Sequence, residues 1–293
     1  MESTPLKSEV NLEGLMSMHD TLVEEIRTLK SVPMEAKEKV AIRLAAFASK
    51  QDANGESSHA AALVKAGALG PLIQMLSKGT DGGQLAAATT LGHVGAGSAA
   101  RQTALADAGA IPALIVLLRT GSNKAQQQAA FALSSLSELP AHAAPIRTAV
   151  APLVRLLRQG IDDAKMHAAV CVANICAGAS SVQDDVGRAG AVPLLVAMLT
   201  SGKIQSSAAF ALAQLSAGHA VNKEAIAREG AIAPLLQLLS GASVAAQCHA
   251  ATAIAELSEE NGEVQQSVAK AGGIFPLLSL LAGRSPQAQA SAT

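Results

Sequence analysis

The stretch GAIPALIVLLRTGSNKAQQQAAFALSSLS, residues 109–137, returns in altered form along most of the chain. Its first half places a proline near a predicted helix start and then Leu114, Leu117 and Leu118 on one face. Its second half carries another apolar stripe, with Leu133 and Leu136, after a polar loop. Because neither helix can bury its stripe alone, the pattern predicts a stack of similar units.

A glycine recurs once in most copies, and the spacing of this marker fixes the register of the repeat. The marker positions lie 42, 39, 42, 40 and 42 residues apart, and they are Gly67, Gly109, Thr148, Gly190, Gly230 and Gly272. Leucine follows every marker at five and at nine residues. We predict a short helix, a sharp turn at the marker, a second helix, a polar loop and a third helix in each copy. The glycine permits a positive φ at that turn.

Two regions depart from the regular pattern. In the third copy Pro140 and Pro145 crowd the first helix and Thr148 replaces the glycine, so we expect a local change in the superhelix near 138–149. Residues 1–33 include an apolar stripe typical of an amphipathic capping helix at 11–30, although a coiled-coil dimer is an alternative. Residues 34–293 form the predicted array: a partial first repeat with a helix at 34–50, five full repeats and a truncated last one. The chain stops at the opening of another third helix, so we expect a fragment of a longer array.

Composition favours a non-catalytic, intracellular protein. The net charge is −1, without the basic face that a nucleic-acid surface needs. Three cysteines in predicted helices, Cys171, Cys176 and Cys248, fit a reducing compartment, the cytoplasm or the nucleus. The first residues resemble no targeting leader and no segment is long and apolar enough for membrane insertion, so we expect a soluble chain, with a monomer as the simplest oligomeric state.

Candidate chemical sites are weak. His167 and Cys171 are four residues apart, and Cys248 and His249 occupy the corresponding place two copies later, but two ligands are too few for structural zinc. Core and groove packing is the interpretation we favour for them. No pattern of acid, base and nucleophile appears, and we predict no catalytic residues, no metal and no cofactor.

The three-helix unit with AGAIPALIVLL followed by QQAAFALSSLS resembles the armadillo repeat, over residues 34–293. The resemblance implies an all-α fold, a right-handed α-solenoid superhelix whose third helices line a concave groove that binds an extended protein or peptide segment. The residues that it places in the groove are Thr89, His93, Phe131, Ser135, Val170, Asn174, Phe210, Gln214, Thr252 and Glu256.

Three functions are consistent with that resemblance. The first is a non-enzymatic scaffold or adaptor for a protein partner. The second is the substrate-recognition arm of a larger ubiquitin ligase of the U-box type. The third is a divergent nuclear import adaptor similar to importin-α, but the Trp and Asn ladder of that branch survives here only at Asn174. Four lysines lie in loops before the third helices: Lys78, Lys124, Lys165 and Lys203. They form either a solvated edge or a basic rim that attracts an acidic partner.

Overall fold

The computed structural model describes residues 21, 24–29, 31, 33–50, 58–241 and 243–281. All regular secondary structure in these ranges is helical. Of the predicted amphipathic helix at 11–30, residues 24–29 are helical and the rest lies almost wholly outside the described ranges. Ile26 and Leu29 are buried, as their place on the stripe predicts. The guanidinium of Arg43 pairs with the carboxylate of Glu25 and so ties this segment to the next helix.

Three kinds of helix alternate along the chain, in the predicted order. The helix of the partial first copy spans Met34–Ala48. The first helices are Ser58–Lys65, Ala99–Asp107, Ser180–Arg188, Ala220–Arg228 and Gly262–Lys270. The second helices are Leu69–Lys78, Ala110–Thr120, Val150–Gln159, Ala191–Met198, Ile232–Leu239 and Ile274–Leu281. The third helices are Asp81–Gly95, Asn123–Leu136, Asp162–Cys176, Gln205–Ser216 and Val244–Ser258, with a short 3-10 helix, Gly202–Ile204, before the fourth of them.

The marker glycines turn the chain between the first and second helices. All five have positive φ, between 76° and 85°, which a residue with a Cβ adopts only with strain. The Gly109 amide donates to the carbonyl of Ala106, so the first helix ends in a tight turn. The second helix then leaves at 78° to the first in that copy. The predicted role of the glycine is confirmed.

The third copy makes the same corner without a glycine. Its first helix is replaced by a 3-10 helix at Pro140–His142, one α-helical turn at Ala143–Ile146 and a second 3-10 helix at Arg147–Ala149. Proline removes backbone donors, and the tighter 3-10 turns accommodate the missing residues. The first helix of this copy is therefore broken where the prolines crowd it, while the expected change in the superhelix near 138–149 stays a prediction. Arg147 Nε donates to Asp185 Oδ2 over 2.6 Å and joins this segment to the fourth copy.

The core runs along the array as columns of equivalent residues. The leucines five residues after each marker are fully buried in all five complete copies: Leu72, Leu114, Leu153, Leu195 and Leu235. Neighbouring third helices pack directly on one another, and each has a fully buried alanine at the same position: Ala87, Ala129, Ala168, Ala208 and Ala250. Such short side chains allow closely spaced helix axes.

In the described part of the chain, no single helix is both long enough and apolar enough to cross a membrane. Two pairs of helices meet that requirement only when each pair is taken together across a sharp bend, and these are His59–Lys65 with Leu69–Lys78 and Ala99–Asp107 with Ala110–Thr120.

Buried amides of two first helices bond the end of one third helix. Gln183 is only 2% exposed, and its Nε2 donates to the carbonyls of Gln214 and Ala217 over 2.8 and 2.9 Å. Asn222 is 4% exposed and donates to the carbonyl of Leu215 over 3.1 Å. These carbonyls belong to the end of a third helix, where no helical N–H is left to bond them. The amides therefore satisfy this helix end. Gln183 joins the first and third helices of the fourth copy, and Asn222 joins the fifth copy to the fourth.

Replacing Leu153 by alanine should lower the free energy of unfolding by about 2–5 kcal/mol, because a fully buried leucine leaves both lost apolar contact and a cavity. Urea unfolding followed by circular dichroism measures the change. Val116→Ala, at a side chain that is 50% exposed, should alter the value by less than about 0.5 kcal/mol. Equal effects of the two variants would contradict the buried column.

Replacing Gln183 by leucine should cost about 1–3 kcal/mol, since two helix-end carbonyls lose their donor inside the protein. Gln265 occupies the corresponding place in the last copy and donates to the Ser258 carbonyl, but it is exposed, so water can replace it. Gln265→Leu is the matched control and should be nearly neutral. The same urea titration distinguishes them. A neutral Gln183→Leu would show that these hydrogen bonds do not hold the first and third helices of the fourth copy together.

Candidate functional site

One face of each third helix remains open to solvent beside the packed core. Nine of the ten residues predicted for the groove are half-buried, with part of each side chain accessible: Thr89, His93, Phe131, Val170, Asn174, Phe210, Gln214, Thr252 and Glu256. Since successive third helices are neighbours, these residues form one row across the array. We call this row the third-helix stripe. Ile42, at the equivalent position of the partial first copy, is 52% exposed and extends it.

Ser135 is the exception among the ten. It is 5% exposed and offers almost no surface to a partner. Its Cβ lies close to Gly95, on the preceding third helix, at 3.7 Å from the place that a Cβ of Gly95 would take. Ser135 therefore packs against the preceding third helix and does not reach the open surface.

Aromatic rings connect three copies in the first half of the stripe. The ring centroid of Phe131 lies 5.2 Å from that of His93, in an edge-to-face arrangement, and 5.1 Å from that of His167. The three residues belong to three successive third helices, so Phe131 bridges the copies on either side. Aromatic pairs at such distances contribute about 0.5–1.5 kcal/mol beyond the area that they bury. We call these three residues the ring cluster.

Gly92 makes the room that the ring cluster needs. A Cβ at this position would collide with the ring of Phe131. The Cδ1–Cε1 edge of the phenyl ring therefore lies against the backbone of the preceding third helix, while the residue stays half-buried. Glycine inside a helix usually costs about 1 kcal/mol relative to alanine, so its presence here reflects packing rather than helix propensity.

A second pair of rings lies two copies further on. Phe210 and His249 stack with centroids 4.8 Å apart, and the Nδ1 atom of His249 is 3.1 Å from the hydroxyl of Ser206. His249 and His167 hold equivalent positions in their helices and are half-buried. Sequence reasoning assigned both to core and groove packing, and the structure places them at the groove. The only signal that could have put them among the site residues is their shared register, two copies apart.

Burial favours the neutral form of His93, which belongs to the stripe, and of His167 and His249, which lie beside it. The pKa values of His93, His167 and His249 all lie below the ordinary value, mainly because partial burial disfavours the charged imidazolium. The carboxylate of Asp163 opposes this shift at His167, and a hydrogen bond with the Ser206 backbone opposes it at His249. At neutral pH the middle of the stripe therefore consists of uncharged rings, amides and hydroxyls.

The hydrogen-bonding groups of the stripe are partly engaged within the wall. Asn174 Nδ2 donates to the Ser137 hydroxyl over 3.0 Å. At the far end, Lys223 Nζ pairs with Glu259 over 2.5 Å and lies 4.0 Å from Glu256, so the acidic end of the groove is partly neutralised. Lys223 also lowers the pKa of Glu259, which keeps that carboxylate ionised.

The thiols have no reactive character in this arrangement. Burial raises the pKa of Cys171 and of Cys176 to about 12, so both remain protonated thiols. Among the described residues, no three His, Cys, Asp or Glu side chains come together as a metal site would require.

Comparisons with known proteins identify the repeat. A sequence profile described as the Armadillo/beta-catenin-like repeat matches residues 100–138 and 219–259. These two stretches are armadillo repeats, and the all-helical fold of the chain matches the α-solenoid of armadillo repeat proteins. No curated protein sequence matches it.

Solved structures agree with this fold. An engineered protein superposes with a TM-score of 0.81 at 28% identity, over 96% of this chain and 69% of its own. A designed armadillo repeat protein gives 0.72 at 25% identity, over 81% of this chain and 100% of its own. Computationally designed armadillo repeat proteins for modular peptide recognition give 0.69 at 25% identity, over 80% of this chain and 99% of theirs.

Mild acid should destabilise the fold through the histidines of the stripe. Their pKa values are lowered in the folded chain, so the unfolded chain binds more protons as the pH falls through about 6.5, and stability falls with it. The urea midpoint should drop between about pH 7.5 and about pH 5.5. This window lies above the range in which Asp185 and Glu259 titrate, because their pKa values are lowered.

The matched variant carries His93→Gln, His167→Gln and His249→Gln, which removes the titrating groups and keeps polar side chains. It should show a clearly smaller drop of the midpoint over the same window. An undiminished drop in that variant would assign the acid sensitivity to other groups.

Proposed function

We propose that this protein is a non-enzymatic scaffold that binds an extended segment of a partner protein along the third-helix stripe. The observation that carries the proposal is the stripe itself: one half-exposed residue or more from each third helix, aligned across the array. An extended chain crossing the stripe meets a new helix at each step, which is how repeat arrays bind peptides along their length.

The chemistry of the stripe suits the backbone and the uncharged side chains of such a segment. Phe131 and Phe210 offer apolar contact area, and the partly exposed amides of Gln214 and Asn174 offer hydrogen bonds. Relatives of the same fold that were designed for modular peptide recognition support the choice of a peptide ligand. The neutral wall indicates that shape and apolar contact, rather than charge, supply most of the affinity.

The nuclear import alternative receives little support from the stripe. Its one matching amide, Asn174, already donates to Ser137 within the wall. The positions where importin-α-like chains carry tryptophan hold Thr89, Phe131, Val170 and Phe210 here. We propose the cytoplasm or the nucleus as the compartment, which is consistent with three buried free thiols.

Introducing charge on the stripe should abolish peptide binding. The test selects binders from a random displayed peptide library on the immobilised protein and measures their affinity by fluorescence anisotropy. The variant with Phe131→Asp, Asn174→Asp and Phe210→Asp should bind the selected peptides about tenfold more weakly or worse, because apolar contacts are lost and carboxylates line the wall.

The control variant adds the same charge outside the third helices, at the exposed residues Val116, Ala197 and Val221, each replaced by aspartate. It should retain the affinity of the unmodified protein. Circular dichroism checks that both variants remain helical. If the stripe variant binds as well as the control, the stripe is not the peptide site.

A further inference from the structure

We infer that a cleft beside the stripe, between the second and third copies, accepts the carboxylate of an acidic side chain in the bound segment. The inference rests on the proposed function, because the carboxylate is carried by the segment that lies on the stripe. It adds a chemical requirement that the stripe alone does not impose.

The cleft has a volume of about 300 Å³, which is enough for one side chain and near the lower end of the range for ligand pockets. Two cationic side chains, Lys124 and Arg155, line it, and no carboxylate does. Leu156 and Ala164 add apolar contact. The other polar lining consists of four side-chain amides: Asn123, Gln126, Gln127 and Gln159.

Arg155 is held in place without being neutralised. One of its terminal nitrogens donates to the carbonyls of Leu118 and Arg119, at 3.0 and 3.2 Å, at the end of the second helix of the preceding copy. Among the described residues it has no carboxylate partner within ion-pair distance. A guanidinium fixed by carbonyls is oriented in advance and keeps donors for an anion.

Lys124 and the free amides complete the set of donors. Lys124 is exposed and has no ion-pair partner within the described ranges. Gln126 donates to the Gly121 carbonyl, whereas Asn123, Gln127 and Gln159 have no side-chain hydrogen bond within the part of the chain that the structure describes. A carboxylate has two oxygens that each accept hydrogen bonds from N–H donors. Two cations with neighbouring amides supply such donors and therefore suit a carboxylate.

The nearest acidic residues do not fill the cleft. Asp162 and Asp163 follow Ile161, which lines it, but both lie in the first turn of the next third helix and outside the lining. They are exposed there, next to the positive end of that helix. They weaken the positive potential around the cleft, so we expect selectivity for a carboxylate rather than tight binding of a free anion.

The cleft is continuous with the stripe. Lys124, Gln127 and Phe131 follow one another at three- and four-residue spacing on one helix, so they share a face. Seven residues of helix correspond to about 10 Å, a distance that about three residues of extended chain span. A segment with an apolar side chain on Phe131 can therefore place a nearby acidic side chain in the cleft.

The test uses the peptides selected on the unmodified protein. Aspartate or glutamate should be enriched at one position a few residues from the main apolar residue. The affinity of one selected peptide is then compared with that of its twin in which this acid is replaced by the matching amide. The twin should bind about tenfold more weakly to the unmodified protein at low salt.

Two protein variants locate the effect. Lys124→Gln leaves the hydrogen bonds of Arg155 intact and should remove most of the difference between peptide and twin, as a double-mutant cycle requires for a direct pair. Lys203→Gln removes the same charge from an exposed site outside the cleft and should leave the difference unchanged.

Each other outcome has a separate meaning. Selected peptides that depend on Phe131 and Phe210 but show no acidic enrichment would overturn the cleft and leave the scaffold function standing. Equal effects of Lys124→Gln and Lys203→Gln would also overturn it, since a general basic rim would then account for the preference. A protein that selects no peptides at all would fail the proposed function itself.

Discussion

The structure depends on the close approach of third helices that cannot be stable alone. Helices of 12 to 15 residues are marginal in water, and here each is buried against the helices before and after it. The column of buried alanines makes this approach possible, because a larger side chain at Ala129 or Ala208 would force the axes apart. With four Phe and no Trp or Tyr in the chain, the packing relies on many small contacts rather than on a few large ones.

The open stripe is a consequence of that same packing. A helix in the row is covered on both sides by its neighbours and behind by the second helices, so only one narrow face can meet solvent. The residues on that face are free to vary in chemistry without loss of the core. In this chain they became rings and amides, and Gly92 was needed to let Phe131 lie between two histidines. The third-helix stripe and the core thus lie on the same helices but consist of different residues.

Periodic features of the sequence predicted most of the fold. The marker glycines, the leucine columns and the broken first helix near Pro140 each follow from a local rule, and the structure confirms them. The half-exposed position of nine groove residues was predictable for the same reason, because the repeat fixes the register of the third helices. The ring contacts were not predictable, because they join residues of different copies and depend on how far adjacent helices are shifted along their axes. Ser135 shows the same limit, because its burial depends on packing against another helix, where it lies next to Gly95.

Variation between copies is what can make such an array selective. If all copies were identical, an extended segment could shift by one repeat without changing its contacts, and register would be undefined. Here the ring cluster joins three particular copies, the pair of Phe210 and His249 is a different arrangement, and the cleft with Arg155 lies between the second and third copies. Each of these features breaks the translational symmetry of the wall. A segment bound as we propose therefore has one register in which its apolar and acidic side chains all find partners, and any shifted register leaves a charged or apolar group unmatched.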